Sequence, residues 1–160
     1  MPQDPIRPTD AEAITLAKSL IRNANFGALA VIDPKSRTPS VTRVAVGTTK
    51  DGVPVSLISD LSAHTKALRN DPNCGLLLGE PGSKGDPLTH PRISIQAQAT
   101  FLDKSTAQYA AIRSLYLQSH PKSKLYIDFA DFNFVTLEIT SAALNGGFGK
   151  AYELSPDDLI

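Results

Sequence analysis

The chain of 160 residues contains one cysteine, one methionine and no tryptophan. A single cysteine, Cys74, excludes an internal disulfide and a zinc site built from cysteines. Because Cys74 lies in the apolar stretch CGLLLG, we interpret it as a small buried side chain. The three histidines, His64, His90 and His120, are far apart in sequence and form no i, i+4 pair. No metal site is therefore predicted.

Net charge is also absent. Sixteen basic and sixteen acidic residues cancel, so the overall balance provides no attraction to nucleic acid or to an anionic membrane. No apolar run is long enough to cross a bilayer, and the opening MPQDPIRPTD has the pattern of neither a secretory signal nor a transit peptide. We expect a cytoplasmic protein that binds neither nucleic acid nor membranes. Any anion that it binds must be held locally.

A hydrophobic content of 41% over 160 residues supports one domain with a substantial core. The spacing of Thr9 and Glu12 predicts a capping box at the start of a first helix. Ser105 with Gln108 predicts the start of a longer helix near the middle of the chain. A further short helix is predicted over residues 122–130.

Most of the remaining chain is rich in β-branched residues or alternates apolar with polar residues, which predicts strands. These stretches are GALAVID, SVTRVAVGTT, VPVSLIS, CGLLLG, RISIQAQATFL, FVTLEIT and the segment around NGGFGKAYEL. Residues 79–91 are dense in glycine and proline and are predicted to form a loop. This order predicts a mainly β, α+β fold, an antiparallel split β-barrel with peripheral helices. The sequence contains neither a Gly-x-Gly-x-x-Gly motif nor a Walker motif, so a βαβ nucleotide fold is not indicated.

The stretch SDLSAHTKALRNDP, residues 59–72, gathers small donors and cations where a strand meets a short helix. Ser59, Ser62 and Thr65 offer hydroxyl groups, and His64 and Lys66 offer groups that are or become positive. The first turn of a helix also leaves backbone N–H groups without intrahelical partners. Together these features favour a phosphate site. The alternative is an ordinary N-cap with a solvated helix face.

Arg43 stands among apolar residues in SVTRVAVG. It lies either along the solvent side of its strand or in a pocket that it shares with the phosphate site. Charge-assisted hydrogen bonds contribute about 1.5–3 kcal/mol each. Three or four of them would supply much of the roughly 8 kcal/mol that micromolar binding requires. The sequence contains no Gly-x-Ser-x-Gly motif, so a serine nucleophile is not indicated.

The order of elements and four segments resemble the FMN-binding split barrel of the pyridoxamine 5′-phosphate oxidase-like superfamily, in the branch of HugZ-type haem-utilisation proteins. The segments are PSVTRVA, DGVPVSLISDLSAHTKALRNDP, GDPLTHPRISI and NGGFGKA. The resemblance covers residues 10–153. It leaves residues 1–9 as an N-terminal extension and residues 154–160 as a C-terminal tail.

The resemblance implies that FMN lies in a cleft between two identical subunits. It assigns Arg43, Ser62, His64 and Thr65 to the phosphate; Val44, Ala45, Leu57, Ile58 and Ser59 to the flavin; Arg92, from the second subunit, to the ring; and Phe148 to the side of the cleft. A homodimeric FMN-dependent oxidoreductase acting on a small molecule is the implied function. No catalytic residue is assigned, since the cofactor supplies the redox chemistry.

Two features depart from the pattern of the oxidase. Ala63-His64 stands where the oxidase has an Arg-Lys pair, and the chain has no tryptophan for the C-terminal segment that holds pyridoxal phosphate. A substrate other than pyridoxamine phosphate is therefore expected. The resemblance leaves two alternatives, a haem- or tetrapyrrole-binding protein of the HugZ type and a flavin carrier without turnover.

Overall fold

The structure is a computed structural model that describes residues 4–160. Its α-helices are α1 (Ala11–Asn23), α2 (Ala63–Asn70), α3 (Ala107–Ser119) and α4 (Pro156–Leu159). Its strands are β1 (Ile6–Arg7), β2 (Phe26–Ile32), β3 (Pro39–Ala45), β4 (Gly47–Thr48), β5 (Pro54–Ser59), β6 (Asn73–Leu78), β7 (Arg92–Phe101), β8 (Phe132–Asn145) and β9 (Ala151–Leu154). Short 3-10 segments cover Pro87–Thr89 and Pro121–Leu125.

The strands form one sheet in the order β1-β9-β8-β7-β6-β2-β3, and the β4–β5 hairpin joins it where β5 pairs with β8. The path runs from β1 to β3 without returning to its start, so the barrel is split. β1 and β9 are parallel, and the other pairs are antiparallel. The predicted fold, a mainly antiparallel split barrel with peripheral helices, is confirmed.

The N-cap of the first helix lies one residue later than predicted. Asp10 is the N-cap of α1, and its Oδ1 accepts a hydrogen bond from the Ala13 N–H at 2.8 Å. The Thr9 hydroxyl instead donates to the Glu153 carbonyl at 2.6 Å. The predicted capping box of Thr9 and Glu12 is therefore wrong, and Thr9 connects the start of α1 to β9.

Two further helix predictions need correction. α3 has Thr106, not the predicted Ser105, as its N-cap. The helix predicted over 122–130 is only a 3-10 segment, Pro121–Leu125, followed by turns. Ser123 lies in its middle, and the Ser123 hydroxyl donates to a backbone carbonyl three residues earlier at 2.6 Å. Such side-chain bonds offer the backbone an alternative to a regular helix.

The sheet encloses two apolar cores. The larger core lies between α1, α2 and the inner faces of β2, β3, β6, β7 and β8. The smaller core lies beneath α3, where the Phe134 ring makes edge contacts with Tyr109 and Tyr116 at 5.3 Å and 5.2 Å between centroids. Ala67 and Leu68 of α2 are buried in the larger core. This packing fixes the N-terminal turn of α2 beside β3.

Both ends of the described chain pack against the domain. β1 lies within the predicted extension 1–9 and pairs with β9, and Leu159, within the predicted tail 154–160, is only 2% exposed. Residues 1–3 of that extension lie outside the described residues. Across residues 4–160, none of the helices has the length and apolar character needed to span a membrane.

Candidate ligand-binding surfaces

Two neighbouring residues of β3, Thr42 and Arg43, point to opposite faces of the sheet. Val44 is buried in the larger core at 6% exposure, and side chains alternate along a strand. Thr42 therefore faces inward, towards α2, and Arg43 faces outward. The Thr42 Oγ1 lies 3.4 Å from the His64 Nδ1, in agreement with this orientation. Within one chain, the structure does not bring Arg43 and His64 together.

The inner surface, which we call the α2 site, consists of Thr42, Ser62, His64 and Thr65. Ser62 is the N-cap residue of α2, but its side chain makes no capping hydrogen bond. Thr65 is fully buried, and its Oγ1 has no hydrogen-bond partner among the described residues. An unpaired buried hydroxyl costs about 1–3 kcal/mol. The α2 site therefore has hydrogen-bonding capacity that the protein itself does not satisfy.

His64 does not supply a permanent positive charge to the α2 site. Burial lowers the pKa of His64 below its ordinary value of 6.5. At neutral pH the ring is therefore neutral and offers one hydrogen-bond donor and one acceptor. The hydroxyl groups and the first N–H groups of α2 fit an anion such as the phosphate of FMN. The structure places Ser62, His64 and Thr65 at the start of α2 with Thr42, which sequence reasoning missed, beside His64; their role in phosphate binding stays a prediction.

Four of the residues predicted to lie along a flavin pack in the apolar cores. Leu57 and Ile58 are 7% and 3% exposed and belong to the two apolar cores. Val44 is also in the larger core, and Ala45 packs against the smaller one. Any contact of these four residues with a ligand would use mainly backbone atoms.

Ser59 has a structural role at the end of β5. Its hydroxyl donates to the Asp131 carboxylate at 2.6 Å and accepts from the Leu61 N–H at 3.1 Å. Asp60 accepts hydrogen bonds from Arg69 at 2.9 Å and Asn133 at 3.0 Å. These bonds fix the turn that leads into α2.

Arg92 and Phe148 lie near each other in the topology but far from the end of β5. Arg92 pairs with Asn145 at the last residue of β8, and Phe148 follows in the next loop. Ser59 pairs with Phe132 at the first residue of β8. The Arg92 Nη1 donates to the Leu88 carbonyl at 2.9 Å, whereas the Phe148 side chain is 94% exposed.

The outer face of β2, β3 and β6 carries a second surface, the Arg43 groove, with a volume of about 350 Å³. We define it by Phe26, Val41, Arg43, Leu77 and Glu80. The apolar members Phe26, Val41 and Leu77 are 42%, 64% and 45% exposed. An exposed cluster of this kind indicates a binding surface.

The guanidinium of Arg43 is available for a ligand. Its Cζ lies 5.6 Å from the centroid of the Phe26 ring, and the ion pairs within residues 4–160 do not include Arg43. A guanidinium binds carboxylates and phosphates through a planar fork of donors. The Arg43 groove therefore fits a flat apolar molecule with an acidic group at its edge, with Glu80 as a negative charge at the rim.

The chain is similar to proteins named for haem. It is 37% identical over 114 residues to the non-canonical heme oxygenase HOZ, chloroplastic, from Arabidopsis thaliana. The match covers 71% of this chain and 34% of that protein. A heme binding protein from Mycobacterium smegmatis is 25% identical, with a TM-score of 0.84 over 96% of this chain and 61% of that one. The chain thus spans about a third and about three fifths of these relatives.

A more distant structure bears on the fold. A Clostridium acetobutylicum protein related to general stress protein 26, of the pyridoxinephosphate oxidase family, is 11% identical. Its TM-score is 0.70 over 95% of this chain and 100% of that one. The family described as CREG, beta-barrel matches residues 8–159. These matches confirm the predicted split-barrel resemblance, and the chain belongs to the CREG beta-barrel family.

Proposed function

We propose that the chain binds haem, or a closely related tetrapyrrole, in the Arg43 groove. The observation that carries this proposal is the groove itself, in which three exposed apolar side chains surround a guanidinium that has no ion-pair partner among residues 4–160. Haem is a flat apolar macrocycle with two carboxylates, so the two parts of the groove match its two parts. The names of the Arabidopsis and Mycobacterium proteins favour the same ligand.

The charged and apolar residues of the groove would bind different parts of haem. Arg43 would bind a propionate, and Phe26, Val41 and Leu77 would cover the macrocycle. None of the residues that line the groove is a histidine, cysteine, methionine or tyrosine, so the groove supplies no axial ligand of the usual kinds. Bound haem would supply the iron chemistry, and these side chains would position it and exclude water.

We also propose that two copies of the chain complete the site. The apolar side chains of the groove lie on an open sheet face, and Arg92 and Phe148 lie at the opposite end of β8 from the turn before α2. A second copy would cover the open face of the groove and, as the resemblance implies, would place its own Arg92 at the ligand. The homodimer and the cytoplasmic location expected from the sequence stay predictions.

FMN at the α2 site is the second candidate. The observation that favours it is the unpaired, fully buried hydroxyl of Thr65 beside His64 and Thr42. A phosphate there would accept hydrogen bonds from hydroxyl groups and from the first turn of α2. In this case the chain would be an FMN-dependent oxidoreductase, or a flavin carrier, as expected from the sequence.

Absorbance titration of the purified chain with haemin and, separately, with FMN tests both candidates. Our proposal predicts a saturable Soret band with haemin. FMN binding would instead appear as a saturable change in the flavin bands and in flavin fluorescence. Saturation by FMN with no specific haemin spectrum would replace the first candidate by the second, and no saturation by either would contradict both.

A further inference from the structure

The loop of residues 79–91, which connects β6 to β7, forms one wall of the Arg43 groove. Gly79, Glu80 and Pro81 line that groove. At the other end of the loop, the Thr89 carbonyl packs so close to Gly147 that an added Cβ there would lie 3.2 Å away. The 79–91 loop therefore contacts both the groove and the segment that carries Phe148.

His90 holds this loop through both nitrogens of its ring. The Gly82 N–H donates to the His90 Nδ1 at 2.9 Å, and the His90 Nε2 lies 2.7 Å from the Lys84 carbonyl oxygen. A backbone N–H can only donate and a carbonyl can only accept. The two partners therefore require a neutral ring with its hydrogen on Nε2. A second proton, on Nδ1, would abolish the bond from Gly82.

The hydrogen-bond partners of the other two histidines accommodate a second proton. The His120 Nε2 lies 2.9 Å from the Asn25 carbonyl, and its Nδ1 lies 2.8 Å from the Ser119 hydroxyl. The His64 Nδ1 also has a hydroxyl as its partner, that of Thr42. A hydroxyl either donates or accepts, so both bonds of His120 survive protonation. Among the three histidines, only His90 has two backbone partners that fix its neutral form.

The 79–91 loop and the start of β7 both carry charged side chains. The loop contains Glu80, Lys84 and Asp86, and the carboxylate of Asp86 accepts from the Leu88 N–H at 2.9 Å as the cap of the short 3-10 segment. Arg92 follows at the start of β7 and is bonded to the Leu88 carbonyl. The adjacent segment 146–149 is Gly-Gly-Phe-Gly and has no titratable side chain, and Lys150 follows it. Both ring nitrogens of His90 are therefore bonded to backbone atoms and not to a carboxylate.

We propose that protonation of His90 releases the 79–91 loop and weakens ligand binding in the Arg43 groove as the solution becomes more acidic. The effect on binding rests on the proposed function, whereas the release of the loop does not. Histidine is the side chain that ordinarily changes charge between about pH 5 and 8. Binding is expected to weaken, and not to strengthen, at lower pH, because the closed loop requires the neutral ring.

The release of the loop is tested in the ligand-free protein by amide hydrogen exchange. Protection of the Gly82 amide is measured at about pH 7.5 and about pH 5.5 and corrected for intrinsic exchange. The Leu61 amide, bonded to the Ser59 hydroxyl at the end of β5, is the internal reference. Loss of one neutral hydrogen bond predicts about a fivefold fall in Gly82 protection at the lower pH. His90→Ala should show the low protection at both pH values.

Haemin affinity at the same two pH values tests the coupling. The wild type should bind more weakly at the lower pH by about the same factor, and His90→Ala should lose this difference. His120→Gln is the matched control and should keep it. Equal protection of the Gly82 amide at both pH values would overturn the release of the loop. Loop release with an unchanged affinity ratio would overturn the coupling, and absence of haemin binding at the higher pH would overturn the proposed function instead.

Discussion

The α2 site and the Arg43 groove begin at adjacent residues of β3 and yet have opposite physical characters. Thr42 leads to a partly enclosed cluster of hydroxyl groups and a neutral histidine. Arg43 leads to an open apolar surface with a permanent cation. The comparison shows that neighbouring residues of one strand can contribute to surfaces of different chemistry, because successive side chains lie on different faces. A phosphate fits the first surface, and a flat apolar acid fits the second.

The largest expected effect comes from breaking the wall of the Arg43 groove at Gly79. Gly79 has φ +108°, and an added Cβ would lie 2.5 Å from the Pro91 carbonyl oxygen and 2.7 Å from the Arg92 Cα. Gly79→Ala should therefore lower the free energy of unfolding by about 3 kcal/mol, through backbone strain and steric overlap. Urea denaturation of wild type and variant measures this.

Gly85→Ala is the matched control for that variant. Gly85 also has positive φ, +80°, but an added Cβ would have no neighbour within 4 Å. Only the conformational penalty, about 1 kcal/mol, is expected there. Equal losses in the two variants would mean that the backbones of β6 and β7 are not in close contact at Gly79.

A substitution in the α2 site is expected to change the free energy of unfolding by less, and to raise it. Thr65→Val removes a buried hydroxyl without a partner, so it should raise the free energy of unfolding of the ligand-free protein by about 1 kcal/mol. Thr136→Val is the control, because the equally buried Thr136 hydroxyl donates to the Glu138 carboxylate at 2.9 Å. That variant should lose about 1 kcal/mol. A loss with Thr65→Val as well would show that its hydroxyl is already paired, by a water or a ligand.

The smallest effect concerns the pH dependence of stability at His64. The folded protein lowers the pKa of His64 below 6.5 by burial, so folding favours the neutral ring. The resulting contribution to stability is complete above about pH 6.5 and is lost as the pH falls below that value. His64→Gln should show a smaller fall in unfolding free energy between neutral and mildly acidic pH than the wild type. An identical fall in both proteins would contradict the assignment.

Sequence patterns predicted most of the barrel because its strands have strong β-branched runs and its loops carry clear glycine and proline signals. Sequence patterns predicted the ends and types of the helices less reliably. Thr9 and Asp10 are both good N-caps, and only the packing of β9 decides between them. Residues 122–130 have helix-forming side chains, but local hydrogen bonds favour a 3-10 segment and turns.

The same one-residue problem affected the prediction of the site. Val41 and Ala45 are as apolar as Val44 and Val46, so the pattern around Arg43 does not decide which set faces the core. A shift of one residue transfers a side chain to the other face of a sheet. The burial of Val44 and Val46 decides it, and Thr42 replaces Arg43 beside His64.

Haemin titration of Arg43→Ala and Thr65→Val, side by side with the wild type, tests the central claim most directly. The account predicts that Arg43→Ala weakens haemin binding by about tenfold or more, since it removes a charge-assisted hydrogen bond to a carboxylate. Thr65→Val, in the α2 site and outside the lining of the groove, should bind haemin as the wild type does. Unchanged binding by Arg43→Ala, or an equal loss in both variants, would contradict the assignment of haem to the outer groove.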